Sequence, residues 1–337
     1  ATDAKSTLTY INLLFEHIKD PVLLCRYYLY QLYYALQFKD KESCIEMLDH
    51  VQTLEKYGIQ ENEYNYNLIL GLYEYQYGSL NDSLSYYYKA EEVMKKMRKN
   101  DDPKFSYYMA LTLSRLHKIT QSTLYAHGAL KQYNQLMDFG RCIDCNQLLG
   151  INYNLVGEYN LAIECFHSVL EAANSHKHPE AIMGRTYHNL GNIYFKKAQY
   201  AKSIVCLLQA LQYKVNDNQK VITLYLLAKV YFIIGNKDSG KKWLYKGLEI
   251  SKSTGNRDDY IKLNILQFQW VKGNSQKSFQ TNLKTAIKYF DERDPNFAFE
   301  CTTLLAKSYA EDFHYKEAYE ALLSSRKVSN GAYGKGG

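Results

Sequence analysis

Hydrophobic positions recur at intervals of three and four residues over most of this chain, which is the period of an amphipathic α-helix. Residues 6–18 follow this pattern and are predicted to form one helix. A helix pair is predicted next, from Val22 to Phe38 and from Glu42 to Tyr57. The polar stretch from Gly58 to Asn62 is predicted to be a linker.

Prolines mark the starts of several predicted helices. Each of the four, Pro21, Pro103, Pro179 and Pro295, lies at a boundary between hydrophobic runs, and three of them follow an Asp. Asp is a favoured N-cap and Pro is favoured at the first helical position. These dipeptides therefore predict helix starts that agree with the hydrophobic period.

A short motif identifies the kind of helix pair. Tyr187, Leu190, Gly191 and Tyr194 fit the signature of the first helix in a tetratricopeptide repeat. Small residues twelve positions apart mark the same crossing in seven successive pairs, and only the sixth is irregular. The anchors are Gly71 with Ser83, Ser114 with Ala126, Gly150 with Ala162, Gly191 with Ser203, Ala228 with Gly240, Leu266 with Ser278, and Ala306 with Ala318.

Small side chains at these positions let two antiparallel helices approach closely, and each pair can bury its remaining apolar face on the next. The sequence thus predicts an all-α fold, a right-handed superhelix of about seven to eight helix pairs. We expect a repeat domain over residues 21–329 and a disordered tail over 330–337. Residues 1–20 are predicted to form an N-terminal helix left from a linker or effector region, and the chain does not begin with Met.

Composition narrows the classes of function. The 337 residues carry a formal charge of +6, too weak an excess to indicate nucleic-acid binding. Seven Cys lie scattered without a disulfide framework, and neither a membrane-spanning run nor a signal peptide is recognisable. A cytoplasmic protein without membrane contact is expected. The 34 Tyr suit both core packing and peptide recognition.

Chemical motifs are few. The chain has none of the common metalloprotease, hydrolase or phosphate-binding motifs. Cys142 and Cys145 form a single Cys-x2-Cys inside a predicted helix, where packing is favoured over a zinc or redox role. We therefore predict no enzyme activity, no metal and no cofactor.

The concave groove of the superhelix is the predicted binding surface. Positions six and three before each anchor, and one and four after it, share one stripe of the first helix. This stripe is polar and aromatic, which suits a peptide backbone held by amides and a carboxylate held by cations. A hydrated groove without a ligand is the alternative. The stripe includes Arg115, Gln147, Asn154, Arg185, His188, Asn192, Tyr225, Lys229, Phe232, Gln267 and Trp270.

Two stretches resemble a known family. One runs from Gly71 through Ser83 to Glu91 and includes Tyr73, Tyr75 and three consecutive Tyr; the other is Tyr187-His188-Asn189-Leu190-Gly191-Asn192-Ile193-Tyr194. Both resemble the Rap and NprR proteins of Bacillus-type Firmicutes, over residues 23–328. The resemblance implies an intracellular receptor for a short, secreted and re-imported peptide in quorum sensing, with Asn154, Asn189 and Asn192 gripping the peptide backbone.

The resemblance also implies an output, either transcription or a sporulation phosphorelay, and a homo-oligomer. The expected ligand is a peptide of about five to eight residues. Contact with DNA would need a helix-turn-helix domain that is not recognisable here. The alternative function is a scaffold for a response regulator or another folded protein. A phosphatase is the third possibility, for which Asn12, Glu16 and His17 are the only candidates on residues 6–18.

Overall fold

A computed structural model describes residues 19–97, 102–173, 179–213, 216–271 and 275–323, with side chains at 55–61 left out. All regular structure in these ranges is helical, which confirms the all-α prediction. The predictions for residues 1–18 and for the tail lie outside the described residues. None of the described helices is long and apolar enough to span a membrane.

The chain divides into two compact units, an N-terminal unit Ala1–Glu158 and a C-terminal unit Tyr159–Gly337. The helices of the N-terminal unit are α1 (Pro21–Phe38), α2 (Lys41–Tyr77), α3 (Leu80–Lys96), α4 (Pro103–Arg115), α5 (Ile119–Gln135) and α6 (Phe139–Leu155). Those of the C-terminal unit are α7 (Tyr159–Ala173), α8 (Pro179–Lys196), α9 (Tyr200–Gln212), α10 (Asp217–Ile233), α11 (Lys237–Ser253), α12 (Arg257–Trp270), α13 (Gln276–Phe290) and α14 (Pro295–Glu311). Residues 315–323 are helical as well.

The helix starts follow the predicted capping. The Asp20 carboxylate accepts a hydrogen bond from the backbone N–H of Val22, and Pro21 opens α1. Asp102 and Asp294 cap α4 and α14 in the same way. Because each cap satisfies a backbone N–H that has no partner inside its helix, the local sequence determines where these helices begin.

The linker predicted at Gly58 to Asn62 is wrong, because α2 runs unbroken from Lys41 to Tyr77. A single glycine costs a helix interior about 1 kcal/mol. A break would cost several backbone hydrogen bonds and a second nucleation. Buried residues on both sides of the glycine, Val51 before it and Tyr64 after it, anchor the helix to the core.

Hydroxyl groups lock the crossing of helices within three pairs. Ser83 Oγ donates to the Gly71 carbonyl, Ser203 Oγ to the Gly191 carbonyl, and Ser122 Oγ to the Ala110 carbonyl, each over 2.7 Å. The third bond corrects the predicted second anchor, which is Ala110 with Ser122. The prediction of Ser114 with Ala126 was displaced by one helical turn, since both positions are occupied by small residues.

Large side chains fill the space around these crossings. In the C-terminal unit, Phe232, Leu244 and Leu263 are each no more than 1% exposed and belong to one apolar cluster. Gly240 lies against the ring of Phe232, where a Cβ would come within 2.6 Å of ring carbons. In the N-terminal unit, Tyr87 packs in the same way against Gly71. The repeated small-to-large contact sets the distance between paired helices.

Candidate functional site

Side chains from three first helices of the C-terminal unit meet on one face. Lys229 on α10 forms an ion pair with Glu300 on α14. The Lys229 ammonium also lies 5.8 Å from the ring centroid of Phe195 and 5.7 Å from that of Tyr225. Since α12 lies between α10 and α14 in the chain, a side-chain contact between those two helices requires this face to be concave. We call it the inner face; it comprises Arg185, His188, Asn192, Phe195, Tyr225, Lys229 and Glu300.

His188 is a neutral imidazole of defined tautomer. The Thr223 hydroxyl donates its hydrogen to the Gln219 carbonyl over 2.9 Å, so it can only accept from His188 Nδ1, 3.0 Å away. Burial lowers the pKa of His188 to about 4. The ring therefore carries its proton on Nδ1 at neutral pH and does not add a positive charge to the inner face.

Tyr225 remains a phenol beside the ion pair. Burial is the main cause that raises the pKa of Tyr225 well above its ordinary value, and the Glu300 carboxylate raises it further. The neutral ring can thus contact the Lys229 ammonium through its face. At this centre the inner face presents the Lys229 ammonium, which is held by one carboxylate and by two aromatic rings.

Two amides lie beside this centre on α8. Asn189 and Asn192 are half-buried, and within the described part of the chain neither side chain makes a hydrogen bond. Each can donate two hydrogen bonds and accept two. Arg185, one turn earlier, is exposed, and its Nε lies 3.4 Å from the Ala181 carbonyl. The predicted residues of α8 are therefore brought together and are accessible.

Phe232 does not lie on the inner face, which corrects its predicted position. Its ring is 1% exposed and stacks on Trp270, with centroids 5.7 Å apart and planes 3° from parallel. The cause is Gly240, whose missing side chain leaves room for the ring between α10 and α11. The residue four positions after the anchor Ala228 is therefore part of the core.

The sixth helix pair is out of the predicted register. In the third, fourth, fifth and seventh pairs the anchor lies five residues before the last residue of the first helix, which selects Ile265 rather than Leu266 in α12. Gln267 accordingly lines a pocket of about 370 Å³ against α11, together with Tyr260 and Lys252. That Gln267 contributes to the inner face stays a prediction.

Trp270, the last residue of α12, contacts the core on one side and lines a pocket on the other. Besides stacking on Phe232, it lines a pocket of about 390 Å³ with Phe279, Lys307 and Ser308. Gln276 Nε2 and Gln280 Nε2 donate to the carbonyl and hydroxyl oxygens of Ser308, over 3.0 and 3.2 Å. Trp270 is thus a partly accessible residue at the end of the helix pair.

The remaining predicted residues belong to the N-terminal unit. Arg115 is the last residue of α4, and its guanidinium stacks on the Tyr75 ring 5.1 Å away. With Ala110 as the anchor, Arg115 lies five residues after it, which is one position beyond the end of the predicted stripe. Gln147 and Asn154 are half-buried on α6, and both already have an interaction partner.

The cysteine motif is part of the core. Cys145 is fully buried and Cys142 nearly so, in a cluster with Ala129 and Tyr133. Burial raises the pKa of Cys145 to about 12, so its thiol stays protonated and unreactive. Among the described residues, no three His, Cys, Asp or Glu side chains are placed to hold a metal ion.

The sequence did not predict the ion pair between Lys262 and Asp294, which are 32 residues apart. Lys262 on α12 reaches the Asp294 carboxylate over 2.7 Å and lies over the rings of Phe290 and Phe297. Asp294 was predicted only as an N-cap. The sequence offered no signal that this cap would also bind a lysine from the preceding helix pair.

Comparison with known proteins places this architecture among tetratricopeptide-repeat proteins. The family model described as "Tetratricopeptide repeat" matches residues 184–216 and 222–254. The structure of the apo form of the quorum sensor NprR from B. thuringiensis is similar over 98% of this chain and 94% of that chain, with a TM-score of 0.88 at 19% identity. NprR in complex with its cognate peptide NprX is similar over 88% of both chains, with a TM-score of 0.67 at 22% identity.

Sequence comparison finds the same group of proteins. The transcriptional activator NprA of Geobacillus stearothermophilus is 26% identical over 90% of this chain and 77% of its own length. Regulatory protein RapF of Bacillus subtilis is 22% identical over 88% of this chain and 83% of its own length. Response regulator aspartate phosphatase E of the same species is 26% identical over 66% of this chain and 60% of its own length. In sequence and in fold, the chain is similar to the NprR and Rap proteins.

Proposed function

We propose that this protein is a receptor for a short signalling peptide, which it binds in extended form along the inner face. The observation that carries the proposal is the pair of half-buried amides, Asn189 and Asn192, that have no hydrogen-bond partner among the described residues. Both amides are partly open to solvent, and a peptide backbone supplies donors and acceptors with which they can pair. NprR, which shares the fold, has been solved with a cognate peptide.

The inner face suits a peptide of about five to eight residues. Asn189 and Asn192 are three residues apart on one helix, so their Cβ atoms lie about 5–6 Å apart on a common side. Both amides can therefore contact neighbouring peptide groups of one extended chain. Phe195 and Tyr225 offer aromatic surface next to them. Main-chain contacts would give affinity, and the neighbouring rings and charges would select side chains.

Ligand binding is proposed to control a cellular output. A peptide that touches α8, α10 and α14 at once favours whichever arrangement of these helices fits it best, and thereby shifts the population of states. NprA is named a transcriptional activator and RapF a regulatory protein. We infer an analogous role in quorum sensing, in the cytoplasm, through transcription or a sporulation phosphorelay and through a homo-oligomer.

A folded partner is the second candidate. One relative is named a response regulator aspartate phosphatase, so a response regulator is the partner to test first. In that case the chain would serve as a scaffold and need a folded surface rather than a free peptide. The prediction that the chain itself is not an enzyme stays a prediction.

The test is native mass spectrometry of the chain with a pool of synthetic heptapeptides, followed by calorimetry on each retained peptide. We expect at least one peptide to bind at micromolar concentration, and Asn192→Ala to weaken it by about 1 to 3 kcal/mol. Asn160→Ala is the matched control, because Asn160 is exposed on α7 and accepts a hydrogen bond from Lys197. Equal weakening by both variants, with helix content intact, would refute the assignment.

Retention of a purified response regulator without retention of any peptide would favour the scaffold. In that outcome, Asn192→Ala should leave the complex unchanged.

A further inference from the structure

Among the ion pairs of the described residues, Lys229 with Glu300 links two helix pairs that are not neighbours in the chain. Four of the others link side chains three or four residues apart on one helix, and a fifth links α12 to the start of α14. Lys229 and Glu300 instead belong to the fifth and seventh helix pairs, 71 residues apart, and meet across the inner face. This pair therefore restrains the curvature of the C-terminal unit.

Its surroundings make the pair stronger than an ordinary surface contact. The Lys229 side chain is 20% exposed and that of Glu300 39%, whereas Lys307 and Glu311, 4.0 Å apart on α14, are 74% and 60% exposed. Two aromatic rings flank the Lys229 ammonium and displace water from it. Less water around a charge pair means less screening and a firmer contact.

Lys229 is an inner-face cation that α10 brings into contact with α8. Phe195 connects the two, since its ring is on α8 and lies under the Lys229 ammonium. A ligand that binds Asn192 and passes over Phe195 would reach Lys229 next. The group that Lys229 holds in this structure is a carboxylate supplied by the chain itself, Glu300.

We propose that Lys229 is the subsite for a carboxylate of the ligand and that Glu300 is its internal occupant, displaced when the ligand binds. This inference rests on the proposed peptide receptor. Lys229 would exchange one carboxylate for another, with the two rings unchanged, so the subsite needs no rearrangement of its own. The release of Glu300 would free α14 from α10 and thereby convert occupancy of the subsite into a change of the seventh helix pair.

The carboxylate has two sources with the same chemistry, the C-terminus of the peptide and an Asp or Glu side chain. A retained heptapeptide can be made as the free acid, as the C-terminal amide, and with its acidic side chains replaced by Asn or Gln. Lys229→Met should not weaken binding of the peptide form that lacks the carboxylate bound by Lys229, and that form identifies the source.

The decisive variant is Glu300→Gln in the full chain, measured by calorimetry with the same peptide. If Glu300 competes with the ligand, its neutralisation tightens binding of the charged peptide by about fivefold. It leaves the uncharged form unaffected. Lys229→Met should weaken the charged form and make binding insensitive to the Glu300 substitution. Glu311→Gln is the matched control, since it removes an exposed carboxylate of the same helix.

The outcomes separate this inference from the function on which it rests. If the wild-type chain binds a peptide but Glu300→Gln leaves its affinity unchanged or lowers it, the internal occupant is refuted and the receptor remains. If no peptide binds wild type or variant, both proposals fail.

Hydrogen exchange on the ligand-free chain gives a second test of the restraint. Amides of α14 should exchange faster in Glu300→Gln than in Glu311→Gln. Equal exchange would overturn the role of the pair in holding α14.

Discussion

Addition of one methyl group at Gly71 tests how the helices of a pair are spaced. A Cβ at this position would lie 2.4, 2.7 and 2.9 Å from three carbons of the Tyr87 ring. That ring is fully buried and packs edge-on against Phe105, itself 1% exposed, with centroids 6.3 Å apart. The ring cannot move aside without disturbing a second buried ring, so Gly71→Ala must separate α2 from α3.

The magnitude follows from two opposing effects. Overpacking of a filled core costs about 1 to 3 kcal/mol. Replacing Gly by Ala inside a helix returns about 1 kcal/mol. Together these effects lower the free energy of unfolding of Gly71→Ala by about 0 to 2 kcal/mol. Separation of the helices also lengthens the 2.7 Å bond from Ser83 Oγ to the Gly71 carbonyl, which places the loss in the upper part of this range.

Gly128→Ala is the matched control. Gly128 lies inside α5, and a Cβ there would have no atom within 4 Å, so only the helix propensity changes. This variant should gain about 0.5 to 1 kcal/mol. The two variants are compared by urea unfolding, followed through circular dichroism at 222 nm, from the midpoints of their transitions. The reasoning is refuted if Gly71→Ala is as stable as Gly128→Ala.

Three further predictions concern buried polar groups and the ligand. Asn152 is fully buried, and its side chain accepts a hydrogen bond from Ser114 Oγ over 2.7 Å and donates one to Ser122 Oγ over 2.8 Å. Asn152→Ala should therefore lower the free energy of unfolding, measured by urea titration, by about 2 to 4 kcal/mol. A loss below about 1 kcal/mol would contradict this prediction. The pKa of His188 is lowered to about 4 in the folded state, so stability is complete above its unfolded value of about 6.5 and falls as the pH drops towards 4, by up to about 3 kcal/mol. His188→Gln should flatten this part of the pH profile, and an unchanged profile would show that another group titrates. Asn189→Ala should weaken a retained peptide by about 1 to 3 kcal/mol in calorimetry, and unchanged affinity would exclude a backbone contact at that amide.

The helix pairs were predictable because local chemistry determines them. Asp followed by Pro caps a helix through its own carboxylate, and the structure has helix starts at Pro21, Pro103 and Pro295 accordingly. Small residues twelve positions apart mark a crossing wherever the neighbouring residues are large. Both signals need only residues that are close in sequence.

Register was predicted less well, because small residues were ambiguous. Ala110 and Ser114 are one turn apart and both could serve as the anchor; only the hydrogen bond from Ser122 distinguishes them. Gly58 was interpreted as a helix break because the low helix propensity of glycine can be read from the sequence alone. The core contacts that keep α2 continuous involve residues distant in sequence, which the sequence does not reveal.

The candidate site depended still more on long-range contacts. The stripe included Lys229, yet no spacing indicates that it pairs with Glu300, 71 residues away. Phe232 was assigned to the inner face by position, and the space left by Gly240 moved it into the core. Helical periodicity gives the direction of a side chain, but the size of its neighbours decides whether it is covered.

Photo-cross-linking is the most direct test of the central claim, that a short peptide binds along the inner face. A retained heptapeptide carrying one photoreactive phenylalanine analogue at each position in turn would be cross-linked to the chain and mapped by mass spectrometry. We predict adducts on α8 and α10, at or near residues 185–195 and 225–229, and their loss with excess unlabelled peptide. Adducts confined to the second helices α9 and α11, or adducts that excess peptide does not remove, would contradict the account.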